Sequence, residues 1–519
     1  MRKRLETIRK FSQAAFLLLF VYLLFAPPGG LPSHLFVRTD PLAGGSALLA
    51  ARQWAASLVW PLLPLVVLSI LAGRLFCGWI CPLGTLVDTA DGLARRRRQV
   101  ENTARRRTKY YVLGAVVLAA AAGAQLAFLA DPLVLLTRSL TLGVAAPLQA
   151  VLRAAGVSSW GPASLTDLLP ESQAYYRESL LSLGILVGVL GLAAVGRRFW
   201  CRTLCPLGAL YGLLGCRSGL RLRVSEKCVE CGRCARECPT GAIFPAEPRR
   251  YLGAECTACM HCLRVCPTAA ISLGWTGGGR QPGTDLSRRR LLAAGGVGLA
   301  WAAGVKWEGA NKPTVSGVRA GSPRLLRPPG ALAEEEFLRR CVRCQQCVKA
   351  CPTNGLQPAL TEAGWEGLWT PVLAPTLGPC AEACTYCGQV CPTGAIAPFT
   401  LAEKQHLFIG TARIDRSRCL AWGEDRECLV CDEVCAYRAI EMREEPGAKA
   451  KRPFIIDEIC VGCGLCENKC PIQPDAAIKV YNMGDKRHWS RRRQAEWRQT
   501  GRRSDAGPDS TGYPYPEGR

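Results

Sequence analysis

Residues 228–239 read CVECGRCARECP and residues 256–267 read CTACMHCLRVCP. Both follow one spacing, C-x2-C-x2-C-x3-C-P. The spacing returns at Cys341, Cys344, Cys347 and Cys351, and again at Cys460, Cys463, Cys466 and Cys470. Two variants complete the pattern. Cys380, Cys384, Cys387 and Cys391 carry one inserted residue, and Cys419, Cys428, Cys431 and Cys435 have a longer first gap. These six groups of four take up 24 of the 29 cysteines.

Soft thiolates suit iron–sulfur centres better than carboxylates or imidazoles do. The spacing is that of bacterial ferredoxins, in which thiolates hold 4Fe–4S cubanes and the fourth cysteine ligates the neighbouring cluster. It predicts one cluster on Cys228, Cys231, Cys234 and Cys266, and a second on Cys256, Cys259, Cys262 and Cys238. Six clusters in one chain would form a path for single electrons. Zinc sites use two C-x2-C pairs or mix in histidine, whereas these runs are three cysteines plus one. With four histidines in the chain, a large zinc role is excluded. His261, inside the second motif, is read as tuning or shielding that cluster. The group from Cys419 departs most from the pattern, with Ala436 in place of the proline.

The chain has 519 residues, 49% of them apolar, and a net charge of +24. Long apolar runs alternate with arginine-dense stretches, as in a polytopic membrane protein. No aromatic–basic recognition motif is present, so nucleic-acid binding is not expected. Four segments, 11–26, 54–73, 110–130 and 180–196, have about the length of roughly 20 residues that a span needs. The stretch 132–156 carries Arg138 and Arg153 and reads as interfacial or re-entrant. The start MRKRLETIRK and the loop with Arg95, Arg96, Arg97, Arg98, Arg105, Arg106, Arg107 and Lys109 are basic, so both are expected inside. The first pair of cluster motifs then lies in the cytoplasm.

Ser287, Arg288, Arg289, Leu291 and Leu292 open SRRRLLAAGGVGLAWAAGV, which matches a twin-arginine export signal in mid-chain. It is expected to stay uncleaved as an anchor and to send the following residues outside. The fold class is therefore a polytopic α-helical membrane domain plus α+β bacterial ferredoxin-like 4Fe–4S domains. The expected divisions are a membrane domain over 1–215, a two-cluster domain over 216–280, an anchor and linker over 285–336, a four-cluster domain over 337–482 and a disordered basic tail over 483–519.

A second repeat lies at the inner membrane edge. RLFCGWICPLGTL from Arg74 matches RFWCRTLCPLGAL from Arg198. Each carries C-x3-C-P, as Cys77 with Cys81 and Cys201 with Cys205. In a helix, cysteines four apart share a face. Two such pairs brought together would gather four thiolates for a metal or a cluster; redox-active dithiols and structural cysteines are the alternatives. Cys216 has no partner and reads as an inert thiol.

Residues 1–275, through FCGWICPLG, resemble the NapH/MauN-type membrane ferredoxins. Residues 287–482, through CVRCQQCVKACP and CLAW, are similar to the NapG/MauM-type periplasmic ferredoxins. The resemblance implies a natural fusion of the two, passing electrons from membrane quinol to a periplasmic reductase or cytochrome. By analogy with four-cluster ferredoxin subunits, the outer two motifs of 337–482 are expected to pair with each other, and the inner two likewise. The stretch 354–379, with Trp365 and Trp369, reads as a docking surface for a different partner. Two clusters inside and four outside leave a gap across the bilayer, which a bound quinone or a partner subunit is expected to fill.

No Ser/His/Asp set, phosphate loop or dinucleotide fingerprint is present, so no catalytic residue is assigned. The chain reads as an electron-transfer protein or a quinol-oxidising subunit. The alternative is an assembly or regulatory factor that reduces a metal or disulfide during maturation of a respiratory enzyme.

Overall fold

The computed structural model describes residues 2–25, 32–94, 103–145, 147–148, 151, 176, 178–244, 247, 249, 251–275, 286–311, 314–315, 318–319 and 322–482. The run Arg95–Arg98, Arg153 and the tail 483–519 lie outside the described residues.

A helical bundle forms the middle of the molecule. It includes the helices Arg2–Phe25, Ala56–Ala72, Thr103–Ala121, Ser179–Gly191 and Arg288–Asn311. Three of them leave the first ferredoxin unit and reach the second. At the start of Arg2–Phe25, Leu5 packs into the core of the first unit and Glu6 pairs with Arg264 at 3.2 Å. Near the end of that helix, the Leu23 carbonyl accepts from Lys349 Nζ at 2.9 Å. Glu6 and Leu23 are about 26 Å apart at 1.5 Å per residue.

Thr103–Ala121 runs the same way. Lys109 and Tyr110 meet Glu255 at one end, and beyond the other end Gln125 Nε2 donates to the Arg339 carbonyl at 2.7 Å. Arg288–Asn311 is parallel to it. Ser287 N–H donates to Tyr111 Oη at 3.1 Å, and Glu308 accepts from Trp365 N–H at 2.9 Å. These two helices touch through glycine: a Cβ on Gly298 would lie 2.2 Å from the Ala115 carbonyl. Small residues of this kind let helix backbones approach closely.

The helix Arg4–Phe25 is long and apolar enough to cross a membrane by length and composition. Pro41–Ala51, Ala56–Ala72, Pro132–Ala145 and Ser179–Ala194 are apolar but shorter. Pro61 and Pro64 lie inside the second of these.

Three ferredoxin units share one plan, an outer antiparallel ladder enclosing an inner one. In the first, Leu220–Val224 pairs with Ile271–Trp275 and Ile243 bridges Tyr251. In the second, Ala331 bridges Ile396 around the hairpin Leu356–Pro358 with Pro371–Leu373. In the third, Thr411–Ile414 pairs with Ile478–Tyr481 around Ile440–Arg443 with Arg452–Ile455. Residues 322–482 thus form two sequential ferredoxin-like units. The expected outer-with-outer pairing of motifs is corrected here: neighbours in sequence share a ladder, because one ferredoxin fold needs only the strands that flank two successive motifs.

Candidate iron–sulfur sites

Each regular motif bends at fixed places. The residue before the second cysteine and the residue two before the third are left-handed: Glu230 and Gly232, Ala258 and Met260, Arg343 and Gln345, Gly462 and Gly464. Gly241, Ala269, Asn354, Gly394 and Arg438, each three residues beyond a fourth cysteine, are left-handed too. For residues other than glycine this conformation costs roughly 1–2 kcal/mol each. Strain of this sort persists where a site over-determines the backbone. The bends turn peptide N–H groups toward sulfur. Ala242 N–H reaches Cys238 Sγ at 3.2 Å, Ile396 N–H reaches Cys391 Sγ at 3.4 Å and Ala439 N–H reaches Cys435 Sγ at 3.3 Å. Such bonds to sulfur are one means of setting a cluster potential.

Cys228, Cys231, Cys234 and Cys266 line one pocket with Val224, Pro267 and Ile271. This is the crossed set that the spacing predicts. A second pocket is lined by Cys419, Cys428, Cys431 and Cys470. The three cysteines of the irregular fifth motif therefore meet the last cysteine of the sixth.

The remaining sets show in the electrostatic neighbours of each thiol. Burial first, then Cys256, Cys259 and Cys238, raise Cys262. Burial, then Cys344, Cys341, Cys391 and Cys387, raise Cys347 well above the usual range. Burial, then Cys380, with Cys384 and Cys351 further on, raise Cys387. Burial, then Cys460 and Cys463, with Cys431 and Cys435 behind, raise Cys466. Buried thiols held protonated give up those protons when a metal binds. The donor chemistry and the apolar lining of the two pockets fit cubanes held by these cysteines, which would serve as one-electron carriers.

The sets form an ordered series. Cys380 N–H donates to the Cys463 carbonyl at 2.8 Å, joining the second and third units. Lys404, itself buried, donates to Cys380 Sγ at 2.7 Å. His261 lies beside Glu237 at 3.7 Å, on the rim of the first unit.

The C-x3-C-P repeats do not lie along single helices, as the spacing alone suggested. Cys77 belongs to the short helix Leu75–Trp79, whereas Cys81 caps a new helix, Pro82–Leu93. Cys201 and Cys205 repeat this arrangement around Phe199–Thr203 and Pro206–Leu214. The reason is the proline, which favours the first turn of a fresh helix. Cys81 Sγ accepts from Gly84 N–H at 3.4 Å and Cys205 Sγ from Gly208 N–H at 3.2 Å.

The two copies interlock. Arg74 Nη2 donates to the Cys201 carbonyl at 3.2 Å, and Arg198 Nη1 donates to the Cys77 carbonyl at 3.3 Å. Burial pushes the Cys201 thiol up to about 11, with Arg198 opposing and Cys77 adding to the rise. For Cys205, burial and then Cys201, Cys77 and Cys81 act in the same upward direction. The four thiols are thus brought together. Among the described residues, no three or more His, Cys, Asp or Glu side chains are arranged to hold a single metal ion. Cys216, by contrast, is exposed.

The first ferredoxin unit is seated on these thiols. Glu255, next to Cys256, is buried and accepts from Arg74 Nη1 at 2.9 Å, from Tyr110 Oη at 3.0 Å and from Lys109 Nζ. Burial opposes its charge, but Lys109 and Arg74 together hold its carboxyl below the usual range. Trp79 Nε1 donates to the Ala258 carbonyl at 3.0 Å. Sequence reasoning had no signal for Glu255. A Cβ on Gly78 would stand 2.3 Å from the Thr257 carbonyl. Gly78→Ala should therefore prise the unit from the bundle at a cost of about 1–3 kcal/mol, read as a lowered thermal midpoint; an unchanged midpoint would contradict this contact.

At the other end, the second ferredoxin unit grips the bundle through stacked cations and rings. Arg138 lies over Trp369 at 3.8 Å, Arg343 over Phe128 at 3.9 Å, and the two rings meet edge-on at 5.9 Å. Trp369, read from the sequence as part of a docking surface for another partner, is buried against this chain's own bundle, whereas Trp365 is exposed.

A 4Fe–4S binding-domain family matches residues 54–101, 179–223 and 385–399, and a second 4Fe–4S binding-domain family matches residues 223–244. A 4Fe–4S dicluster-domain family matches residues 426–473. The methylamine utilization ferredoxin-type protein MauM of Methylorubrum extorquens is 35% identical over 204 residues, covering 37% of this chain and 88% of that protein. Ferredoxin-type protein NapG of Escherichia coli is 34% identical over 204 residues, covering 36% of this chain and 78% of that protein. Ferredoxin-type protein NapH of Haemophilus influenzae is 26% identical over 249 residues, covering 46% of this chain and 75% of that protein.

Proposed function

Because the chain belongs to the NapG/MauM/NapH-type family of polyferredoxins, which transfer electrons through 4Fe–4S domains, we propose that it carries electrons from the quinol pool through six clusters to a periplasmic reductase or cytochrome. In this reading the bundle is a polytopic domain of the bacterial inner membrane. Its first ferredoxin unit faces the cytoplasm, and the four-cluster domain faces the periplasm after passage by the twin-arginine machinery.

One observation carries the proposal: the two iron–sulfur regions lie at opposite ends of the bundle. Three helices run from the first to the second. Of the three, Arg4–Phe25 is long and apolar enough to cross a membrane, and the other two pack against each other. The six ligand sets would be the two crossed sets of the first unit; Cys341, Cys344, Cys347 and Cys391 with Cys380, Cys384, Cys387 and Cys351; and Cys460, Cys463, Cys466 and Cys435 with Cys419, Cys428, Cys431 and Cys470. Cys77, Cys81, Cys201 and Cys205 would hold a further centre wider than a single ion, placed between the first unit and the bundle.

Purified protein with bound iron should oxidise a short-chain quinol continuously when an artificial acceptor is supplied. Activity limited to a single turnover would sink the wire reading in favour of a maturation factor. An enzymatic reporter fused to the C-terminus should be active only outside the cytoplasm.

A further inference from the structure

The fourth motif, with its inserted residue, departs from the regular ones at its first cysteine. In the four regular motifs the residue two beyond that cysteine is left-handed, as Glu230, Ala258, Arg343 and Gly462. Its peptide N–H is turned toward the first sulfur: Ala258 toward Cys256, Arg343 toward Cys341 and Gly462 toward Cys460. Glu382, at the same distance from Cys380, is not left-handed. With the extra residue the bend is gone, and no peptide N–H is turned toward the Cys380 sulfur.

A cation stands in that place. Lys404 Nζ donates to Cys380 Sγ at 2.7 Å, and among the described residues this sulfur is its one hydrogen-bond partner. Lys404 is only 2% exposed, and its Nζ lies 5.9 Å from the centre of the Phe399 ring. The Glu403 carboxylate beside it is turned to the Thr400 N–H at 2.9 Å and hydroxyl at 3.1 Å, closing the capping box of the turn Leu401–Lys404. The ammonium is thus fixed by a capped turn and aimed at one sulfur. The donors at Cys238, Cys391, Cys435 and Cys460 are neutral peptide N–H groups. Bonds from a charged donor are roughly twice as strong as neutral ones.

Reduction adds one negative charge to an iron–sulfur site. A cation bonded to a ligand sulfur favours the reduced form, and burial strengthens the attraction. Hydrogen bonds to sulfur and local charge are both means of setting the potential. Cys380 is also where two units meet. Its N–H donates to the Cys463 carbonyl at 2.8 Å, and its thiol is in electrostatic reach of the Cys463 thiol.

We propose that Lys404 is a potential-setting residue. It holds the site of Cys380, Cys384, Cys387 and Cys351 above the potential those ligands give alone, so that an electron is stabilised where the second unit hands over to the third. The inference rests on the electron-transfer reading above. The electron comes from a reduced iron–sulfur centre of the chain, which is oxidised as this site is reduced. No covalent bond of Lys404 forms or breaks, and no proton moves.

Potentiometric titration of the full iron-loaded chain with dithionite, ferricyanide and mediator dyes, read by electron paramagnetic resonance, tests this. In Lys404→Gln the equilibrium of one reduction step should fall about tenfold, which is about 59 mV for one electron, with the iron content kept. Lys404→Met, with neither charge nor donor, should lower the same step at least as far. Lys404→Arg keeps the charge and should hold the step near its original value. Lys449→Gln, an equal change of charge at an exposed site, should move no step. Unmoved potentials in both neutral variants, or a fall in Lys404→Arg or Lys449→Gln as large as in Lys404→Gln, would overturn the assignment. Loss of about four irons from both neutral variants would overturn it too, leaving Lys404 a structural prop. Because the titrants are artificial, failure of quinol turnover leaves this readout intact, and a lowered step then still supports the role of Lys404.

Discussion

Cys470→Ala is expected to empty the cavity lined by Cys419, Cys428 and Cys431, with the loss of about four irons per chain. The cluster on Cys460, Cys463, Cys466 and Cys435 should stay loaded. The expectation follows from the cavity itself, which takes three cysteines from the fifth motif and the fourth from the sixth. Iron analysis gives the first check. A double-variant comparison gives the sharper one. Cys419→Ala combined with Cys470→Ala should lose no more iron than either change alone, because both act on one cluster. Cys460→Ala combined with Cys470→Ala should lose about eight irons, the content of two cubanes. The reverse pattern would mean that each motif holds its own cluster, and the ladder-based pairing would be wrong.

Trp369→Ala should release the C-terminal ferredoxin units from the bundle. The indole is buried, stacks under Arg138 and meets Phe128, and its backbone carbonyl accepts from Gln345 Nε2. Truncating a buried tryptophan costs about 3–5 kcal/mol. It also removes the ring face beneath the buried Arg138 guanidinium. At roughly 1.4 kcal/mol per tenfold, the docking equilibrium should shift by a hundredfold or more. Limited proteolysis reads this directly: the segment joining Arg288–Asn311 to the domain should be cut much faster in the variant while iron content is kept. Equal protection in both proteins would show that the stacked contact contributes little to docking.

The cysteine spacing announced the 4Fe–4S domains, and it announced that Cys266 would join Cys228, Cys231 and Cys234, because both follow from local loop geometry. Ser287 to Val305 read as a twin-arginine signal kept as an anchor; the structure shows there the helix Arg288–Asn311, which passes from Tyr111 near the first unit to Trp365 of the second. The pairing of the last four motifs was not legible. It depends on which strands close a ladder, and analogy pointed to nested pairs where the structure has consecutive ones. Trp369 looked like a surface anchor because nothing in its neighbours reveals that Phe128 and Arg138 cover it. Glu255 was silent for another reason: a lone acidic residue carries no periodic signal.

The crossed grip of Arg74 and Arg198 has a consequence for inheritance. Each guanidinium holds the main chain of the opposite copy, so neither half of the duplication can drift alone. A substitution at Arg74 loosens the loop around Cys201, and one at Arg198 loosens the loop around Cys77. Related sequences that lose one arginine should therefore have lost or reshaped its counterpart as well, and a lineage that keeps both halves is held to a shared pace of change.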